Sequence, residues 1–244
     1  MPRSHDTRIT IDAPIEDVWQ ALTVPGQLNR WFAPRTAVAP GPGGHMLSQW
    51  GPKLEKPATI AHWEPPDHLR LIETRDHMIS PVEHKMTPCE LVQDFHLKTD
   101  GGKTVVHTLQ SGFGDDSDWD LEYDRARAGW FACFFRLQQV LERHGGQAVH
   151  NGIETVFLRG AAWQDVLKHF EDLEQPRKEL AYRKPYYVGA LLPENNHSIL
   201  TVSVQPENLG TVLYLEYLFF EQPPAMASSV VLGILSQLRE TSRP

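Results

Sequence analysis

The chain has 244 residues, of which 41% are hydrophobic and 22% charged, an ordinary composition for a globular protein. Its 31 acidic and 23 basic residues give a net charge of −8, which argues against nucleic acid or an anionic membrane as a partner. There is no signal-peptide core, no apolar run of the roughly 18 residues that span a bilayer, and no CxxC pair. We therefore expect a cytoplasmic protein in which Cys89 and Cys133 are reduced thiols.

The chain begins with a predicted strand, RITID, in which Ile9 and Ile11 share a face. The segment APIEDVWQALT follows, and its proline and two acids are typical of a helix N-terminus. VPGQ is predicted to end this helix, and LNRWF to form one more turn before Pro34.

Five strand-like runs come next, separated by the turn signals GPGG, EPPD and TDGGK: HMLSQW, ATIAHW, LRLIET, ELVQDFHLKT and TVVHTLQSGF. The DGG between the last two predicts a hairpin. An acidic segment, GDDSDWDLEYD, is predicted to be a mobile loop; it lacks the glycine and terminal glutamate of a calcium loop. The next 22 residues carry Trp130, Phe134, Leu137 and Leu141 at helical spacing, up to Gly145 and Gly146. This order of elements predicts an α+β fold.

Several of these motifs together resemble the START-like helix-grip superfamily (SRPBCC), and within it the subgroup related to the activator of Hsp90 ATPase. They are APIEDVWQALTVPGQLNRWFAP, PGPGGHM, IAHWEPPDHLRLIET, GGKTVVHTLQSGF and AGWFACFFRLQQVLE. The resemblance covers about residues 7–145. It implies a curved antiparallel sheet wrapped around a long C-terminal helix, with a cavity between them that often holds an apolar molecule.

Residues 147–244 are predicted to form a second, smaller α+β domain after a first domain of residues 1–146. The second domain follows the plan of the first with the middle strands missing. GGKTVVHTLQSGFG is matched by NLGTVLYLEYLFFE, and EDVWQAL by WQDVLKHF, so this domain is a candidate degenerate repeat. Its apolar run VLYLEYLFF indicates either a surface for a protein partner or homodimer, or a buried central strand.

The resemblance places Thr104, Val106, Thr108 and Gln110 toward the helix, and strand alternation then directs Val105, His107 and Leu109 outward. Val105 and Leu109 are apolar where a solvated face would be polar. Either another domain or a second copy covers this face, or the register is slipped by one residue.

The predicted ligand-binding residues combine aromatic and aliphatic side chains with a few polar ones, as small-molecule pockets do. They are Trp31, Phe32, Trp50, Trp63, Leu71, Glu73, Gln93, Phe95, Thr108, Gln110, Phe113, Trp130 and Phe134. The alternative is a filled core in which the polar groups bond one another or water. Many relatives carry an aromatic residue at the position of Glu73 and a histidine at that of Gln110, so no relative's ligand is carried over.

Three functions are considered. The leading hypothesis is a binding protein for a small, largely apolar molecule. The second is an enzyme of the polyketide cyclase or dehydratase type, with Glu73 as general acid or base, because burial favours the protonated form of a carboxyl group. The third is a co-chaperone-like protein-interaction module, which only the subgroup's name suggests.

We expect no cofactor and no metal. The chain has no GxSxG, HExxH, P-loop or GxGxxG motif. Asp94 and His96 share a strand face and would reach His107 across the hairpin, which is a possible metal set. A solvated or interdomain polar patch is the preferred interpretation of these residues.

Overall fold

The computed structural model describes residues 3–51, 54–75 and 89–242. The chain forms two compact units, Met1–Gly145 and Gly146–Pro244. Within the described ranges, no helix has the length and apolar character needed to cross a membrane.

In its described residues the first unit has seven strands and three helices. In chain order they are β1 (Arg3–Ile11), α1 (Ile15–Thr23), α2 (Pro25–Leu28), β2 (Arg35–Ala39), β3 (His45–Gly51), β4 (Leu54–Glu64), β5 (His68–Arg75), β6 (Cys89–Asp100), β7 (Lys103–Phe113) and α3 (Asp120–Arg143). The strands form one antiparallel sheet in the order β1-β7-β6-β5-β4-β3-β2. A large antiparallel sheet with one long helix confirms the predicted α+β helix-grip fold.

Helix α1 ends where the sequence predicted, because Val24 is extended and Pro25 follows it. The additional turn predicted over LNRWF is present, because the amide of Phe32 donates to the carbonyl oxygen of Leu28. The short helix α2 before it was not predicted; it begins at Pro25 itself, since proline suits the first position of a helix. Strand β2 was not predicted; it is a short edge strand with only half-buried side chains on its inner face, so its hydrophobic alternation is weak.

The acidic segment is not a loop throughout its length, and this part of the prediction was wrong. A 3₁₀ turn spans Ser117–Trp119, with the Asp116 side chain accepting a hydrogen bond from the Asp118 amide, and α3 starts at once at Asp120. Trp119 is buried and its ring lies edge-on to that of Phe113. The buried side chain of Trp119, in the middle of the acidic residues, therefore fixes the position at which α3 starts.

The predicted hairpin between β6 and β7 is present, with Asp100 opposite Lys103 and positive φ angles at Gly101 and Gly102. The predicted register is also confirmed. The inward residues of β7 are all buried, whereas Leu109 on the opposite face is exposed. A register slipped by one residue is thus wrong as an explanation of the apolar outer positions.

Up to residue 242, the second unit has five strands and two helices: β8 (Val149–Arg159), α4 (Trp163–Asp172), β9 (Glu179–Lys184), β10 (Tyr187–Leu192), β11 (Ser198–Glu207), β12 (Gly210–Phe220) and α5 (Pro224–Leu238). The sheet order is β8-β12-β11-β10-β9, so the first strand pairs with the last, as β1 pairs with β7. The apolar run VLYLEYLFF lies in β12, between β8 and β11, and contributes Leu213, Leu215 and Phe219 to the core of this unit. Its internal position in the sheet accounts for its apolar character.

Candidate functional site

Aromatic side chains from α3, the sheet and the turn after α2 meet on the helix-facing side of the first unit. The ring of Phe32 stacks on that of Trp130, with centroids 5.7 Å apart and planes at 17°. Trp50 meets Phe32 edge-on at 5.1 Å, and Phe95 meets Trp130 edge-on at 5.6 Å. Phe134 lies 5.3 Å from Trp130 along the same helix. Five of the predicted site residues therefore form one aromatic cluster.

Trp31 has a different role from its neighbour Phe32. Its side chain is 1% exposed, and its indole Nε1 donates a 2.8 Å hydrogen bond to the carbonyl oxygen of Ala21 in α1. Burial of a tryptophan with its one donor satisfied is typical of a core residue. Trp31 thus connects the turn after α2 to α1 through this hydrogen bond, and the next residue, Phe32, lies against Trp130.

Two other predicted aromatic residues lie outside this cluster. Trp63 packs edge-on against Trp19 of α1 at 5.3 Å, and both line an open groove of 380 Å³ that also includes Val38 and Pro40. Phe113 belongs to a small buried group with Leu91 and Trp119. The thirteen predicted residues are therefore divided among several groups.

The polar members of the predicted set lie together on the sheet. Gln110 pairs with Gln93 across β7 and β6, and Gln93 pairs with Leu71 of β5. Two residue pairs further along the same two strands, Thr108 is opposite Phe95. Thr108, Gln110 and Glu73 are buried on this face, and Gln93 is half-buried. Thr108 Oγ1 and Gln110 Oε1 have no hydrogen-bond partner among the residues that the structure describes.

Thr104 provides a contrast on the same strand and the same face. Its hydroxyl is fully buried as well, but it donates a 2.8 Å hydrogen bond to the carbonyl oxygen of Ala13. Buried hydroxyl groups are normally paired in this way. The unpaired oxygens of Thr108 and Gln110 therefore have two explanations. Either a ligand bonds them, or the interior is filled with side chains and leaves these oxygens without a hydrogen-bond partner.

His5 joins this site although the sequence analysis did not single it out. It pairs with Gln110 across β1 and β7, and its ring lies 3.9 Å from that of Tyr123 and 5.0 Å from that of Phe113. Burial lowers the pKa of His5 to about 4, against a smaller raising effect from the Tyr123 backbone. The imidazole is thus neutral at physiological pH. Extending the alternation of Ile9 and Ile11 back by four residues would have placed His5 on the buried face.

The opposite face of the same sheet carries a histidine ladder, which we define as His62, His68, His96 and His107, from β4, β5, β6 and β7. Successive ring centroids are 4.1, 4.1 and 6.4 Å apart. Burial and the nearby His68 lower the pKa of His96.

Asp94 lies beside this ladder and is nearly buried. Its Oδ1 is 2.5 Å from His68 Nε2, and Arg70 donates to its Oδ2. Burial by itself raises the pKa of Asp94, but the hydrogen bonds from Arg70 and His68 outweigh burial, so the pKa is lowered. The carboxylate is therefore charged and held in one orientation.

Comparison with known proteins gives the family. The model of the family described as Activator of Hsp90 ATPase homolog 1-like protein matches residues 12–142, more than half of the chain. No curated protein sequence matches the chain.

Among solved structures, protein MLL2253 from Mesorhizobium loti is 24% identical over 59% of this chain and 99% of its own, with a TM-score of 0.51. The Aha1 dimer from Colwellia psychrerythraea is 19% identical over 59% of this chain and 99% of its own, with a TM-score of 0.49. DynU16, a putative protein in the dynemicin biosynthetic locus, is 16% identical over 98% of this chain and 94% of its own, with a TM-score of 0.48. The first of these likenesses supports the fold alone. By the match of its first unit, the chain belongs to the family of Activator of Hsp90 ATPase homolog 1-like proteins.

Proposed function

We propose that the first unit binds a small, largely apolar molecule between α3 and the helix-facing side of the sheet. The observation that carries the proposal is the pair of buried oxygens, Thr108 Oγ1 and Gln110 Oε1, without a hydrogen-bond partner among the described residues. A buried polar atom without a partner costs about 1–3 kcal/mol. A ligand that supplies one or two polar groups to these oxygens would remove that cost.

The aromatic cluster supports the apolar part of the proposal. Phe32 and Phe95 both pack on Trp130 between helix and sheet, and Phe32 and Trp130 are only half-buried. Pockets for small molecules combine such aromatic walls with a few placed polar groups. The neutral imidazole of His5 adds a donor and an acceptor without adding charge.

Native mass spectrometry of the full chain, purified without added ligand, tests the proposal directly, with a denatured sample as control. We expect an added mass of a few hundred daltons in the native spectrum alone. The molecule thus identified is then the probe for variants. Thr108→Val and Gln110→Leu are expected to lower its affinity at least about 10-fold, since each removes a polar partner.

Thr104→Val is the matched control, because it makes the same change on the same face of β7, at a hydroxyl bonded to Ala13. It is expected to leave the affinity within about twofold. Unchanged binding in both Thr108→Val and Gln110→Leu would contradict the proposed site. A native spectrum without any added mass would contradict retention of a ligand through purification.

A second candidate function is acid–base catalysis on a bound molecule by Glu73. Glu73 is 7% exposed and lies on the same face of the sheet as the two unpaired oxygens, so a carboxyl group is present where a substrate would lie. Glu73→Gln is expected to abolish turnover of the identified molecule while its binding is kept. Equal turnover in Glu73→Gln and wild type would remove Glu73 from any catalytic role.

We also infer that the second unit is a degenerate repeat of the first. Each unit begins with a strand that pairs with its last strand, has a helix directly after the first strand, and ends in a helix. Thr211 at the start of β12 donates a 2.8 Å hydrogen bond to the carbonyl oxygen of Ala161, as Thr104 in β7 does to Ala13. Such a specific bond at matching positions is poorly explained by chance similarity of strand patterns. The cytoplasmic location and a homodimer or protein partner through the second unit stay predictions.

A further inference from the structure

The outer face of the first unit's sheet brings together a set of ligand atoms that the proposed binding function does not use. His68, Asp94 and His96 each offer one ligand atom, and these three atoms all lie within 4.8 Å of one another. Asp94 Oδ1 is 2.5 Å from His68 Nε2 and 3.7 Å from His96 Nε2. The three residues are opposite or next to one another on β5 and β6, so the sheet backbone holds them in place.

Their chemistry is that of a transition-metal site. Zinc in proteins is bound by imidazole nitrogen and carboxylate oxygen at about 2.0–2.2 Å, usually with four ligands in a tetrahedron. Two ligand atoms of such a tetrahedron are roughly 3.3–3.6 Å apart. The 3.7 Å between Asp94 Oδ1 and His96 Nε2 is close to that value. The 2.5 Å between Asp94 Oδ1 and His68 Nε2 is a hydrogen bond, so the His68 side chain has to move away by about 1 Å when an ion replaces the shared proton.

The carboxylate is oriented in the way that metal sites require. Arg70 donates to Asp94 Oδ2 through both Nε and Nη2, which leaves Oδ1 directed toward the two histidines. Partners beyond the ligands commonly fix a ligand in this manner. Arg70 brings a positive charge near the site, but this charge is paired with Asp94, and the exposed carboxylate of Glu64 lies beside the neighbouring His62.

We propose that His68, Asp94 and His96 bind one divalent transition-metal ion of the zinc type, with the fourth position open to solvent. His96 has a side-chain exposure of 51%, so an ion can enter from water, while Asp94 at 7% forms the floor of the site. His62 and Glu64 form an adjoining set that shares His68 and lies on the same outer face. This proposal departs from the sequence-based expectation of no metal.

The structure also changes which residues belong to the set. The sequence analysis considered Asp94, His96 and His107, but His107 Nε2 is 3.0 Å from Asp6 Oδ1 on the other side of β7, and its ring lies 6.4 Å from that of His96. His68 takes its place because β5 pairs with β6 so that His68 is opposite His96. His107 is therefore a matched control: it is a ladder histidine outside the proposed ligands.

The test is isothermal titration calorimetry of the full chain, stripped with a chelator and titrated with zinc chloride alone at neutral pH. We expect one ion per chain with a Kd of about 10 μM or tighter. His96→Gln is expected to weaken binding at least about 10-fold, and its exposed position makes it safe for folding. His107→Gln is expected to stay within about twofold of wild type.

Cobalt(II) absorption and the Asp94→Asn variant test the coordination of the bound ion. Cobalt(II) bound in the same site is expected to give the strong visible absorption of a four-coordinate ion, and Asp94→Asn is expected to abolish it. Binding weaker than about 100 μM in the wild-type chain would overturn the proposal in favour of a solvated polar patch. Equal effects of His96→Gln and His107→Gln would overturn it in favour of non-specific binding along the histidine ladder. Because these residues lie on the face opposite the proposed ligand cavity, neither result bears on the function proposed above.

Discussion

Thr104 and Thr211 make the same hydrogen bond in the two units of this chain. Each is fully or almost fully buried near the start of the last strand of its unit. Each donates at 2.8 Å to the carbonyl oxygen of an alanine that lies just before the unit's first helix. The bond connects the end of the sheet to the start of the helix. It is therefore a structural contact within each unit rather than part of a binding site.

Thr104→Val and Thr211→Val are each expected to lower the free energy of unfolding by about 1–3 kcal/mol, because each leaves a buried carbonyl without its partner. Thr108→Val is the control, since its hydroxyl has no partner among the described residues. In the ligand-free chain it should be neutral or slightly stabilising. Chemical denaturation followed by circular dichroism measures all three. A cost for Thr108→Val equal to that for Thr104→Val would contradict the assignment.

The stability of the first unit should fall as the pH is lowered from about 6.5 to about 4. His5 binds a proton near pH 6.5 when unfolded, but burial lowers its folded pKa to about 4, so acid favours the unfolded chain. One pKa unit corresponds to about 1.4 kcal/mol, which makes the His5 contribution roughly 3 kcal/mol across this interval.

The His5→Phe variant isolates this effect from the carboxylates that also titrate in acid. The difference in unfolding free energy between wild type and variant, measured at several pH values, should change across this interval and be constant above pH 7. A difference that does not depend on pH would show that the pKa of His5 is the same in the folded and the unfolded chain.

Trp130 and Phe134 should respond differently to truncation although they are neighbours in the aromatic cluster. Phe134 is 2% exposed, so Phe134→Ala is expected to cost about 3–5 kcal/mol, and Phe134→Leu much less. Trp130 is half-buried, so Trp130→Ala is expected to leave the chain folded while it weakens uptake of the ligand. Thermal unfolding and ligand titration together separate the two effects. Global unfolding of Trp130→Ala would make this residue a core residue.

Gly112 in β7 should tolerate no other residue. Its φ is +101°, and a Cβ there would lie 2.0 Å from the carbonyl oxygen of Glu90 on the paired strand. Gly112→Ala is therefore expected to cost about 3 kcal/mol or more from backbone strain and steric clash. Gly101→Ala is the control, because Gly101 also has a positive φ but has open space around it, and should cost about 1 kcal/mol. Equal, small losses in both variants would contradict the expected clash.

Local pattern was sufficient to predict much of this structure. The alternation in TVVHTLQSGF, once its face was assigned by the resemblance, correctly placed Thr104, Val106, Thr108 and Gln110 in the interior. The DGG signal correctly predicted the β6–β7 hairpin, and Gly145–Gly146 lies directly after the long helix. These features depend on residues close together in sequence, so a single stretch of chain carries enough information to specify them.

Elements were missed where two local signals competed. VPGQ correctly predicted the end of α1, but a proline also suits the first turn of a helix, and the unpredicted helix α2 begins at Pro25. The acids from Asp115 to Asp120 indicated a loop, but burial of Trp119 against Phe113 allows the helix to start within them. The second outcome depends on packing in the folded unit, where Trp119 is buried with Phe113 and with Leu91 of β6.

Which side chains meet across the sheet could not be derived from any single strand. The partners of Asp94 are His68 and Arg70 from β5, and that pairing depends on the register between β5 and β6. His5 lies opposite Gln110 because the first strand pairs with the last, more than a hundred residues later. Periodicity tells which face of a strand is buried, whereas register and strand order arise when the whole sheet assembles around its helix. The buried and exposed faces of the strands could therefore be predicted from the sequence. The unpaired oxygens on the inner face and the histidine–aspartate cluster on the outer face depend on how the strands pair in the folded protein.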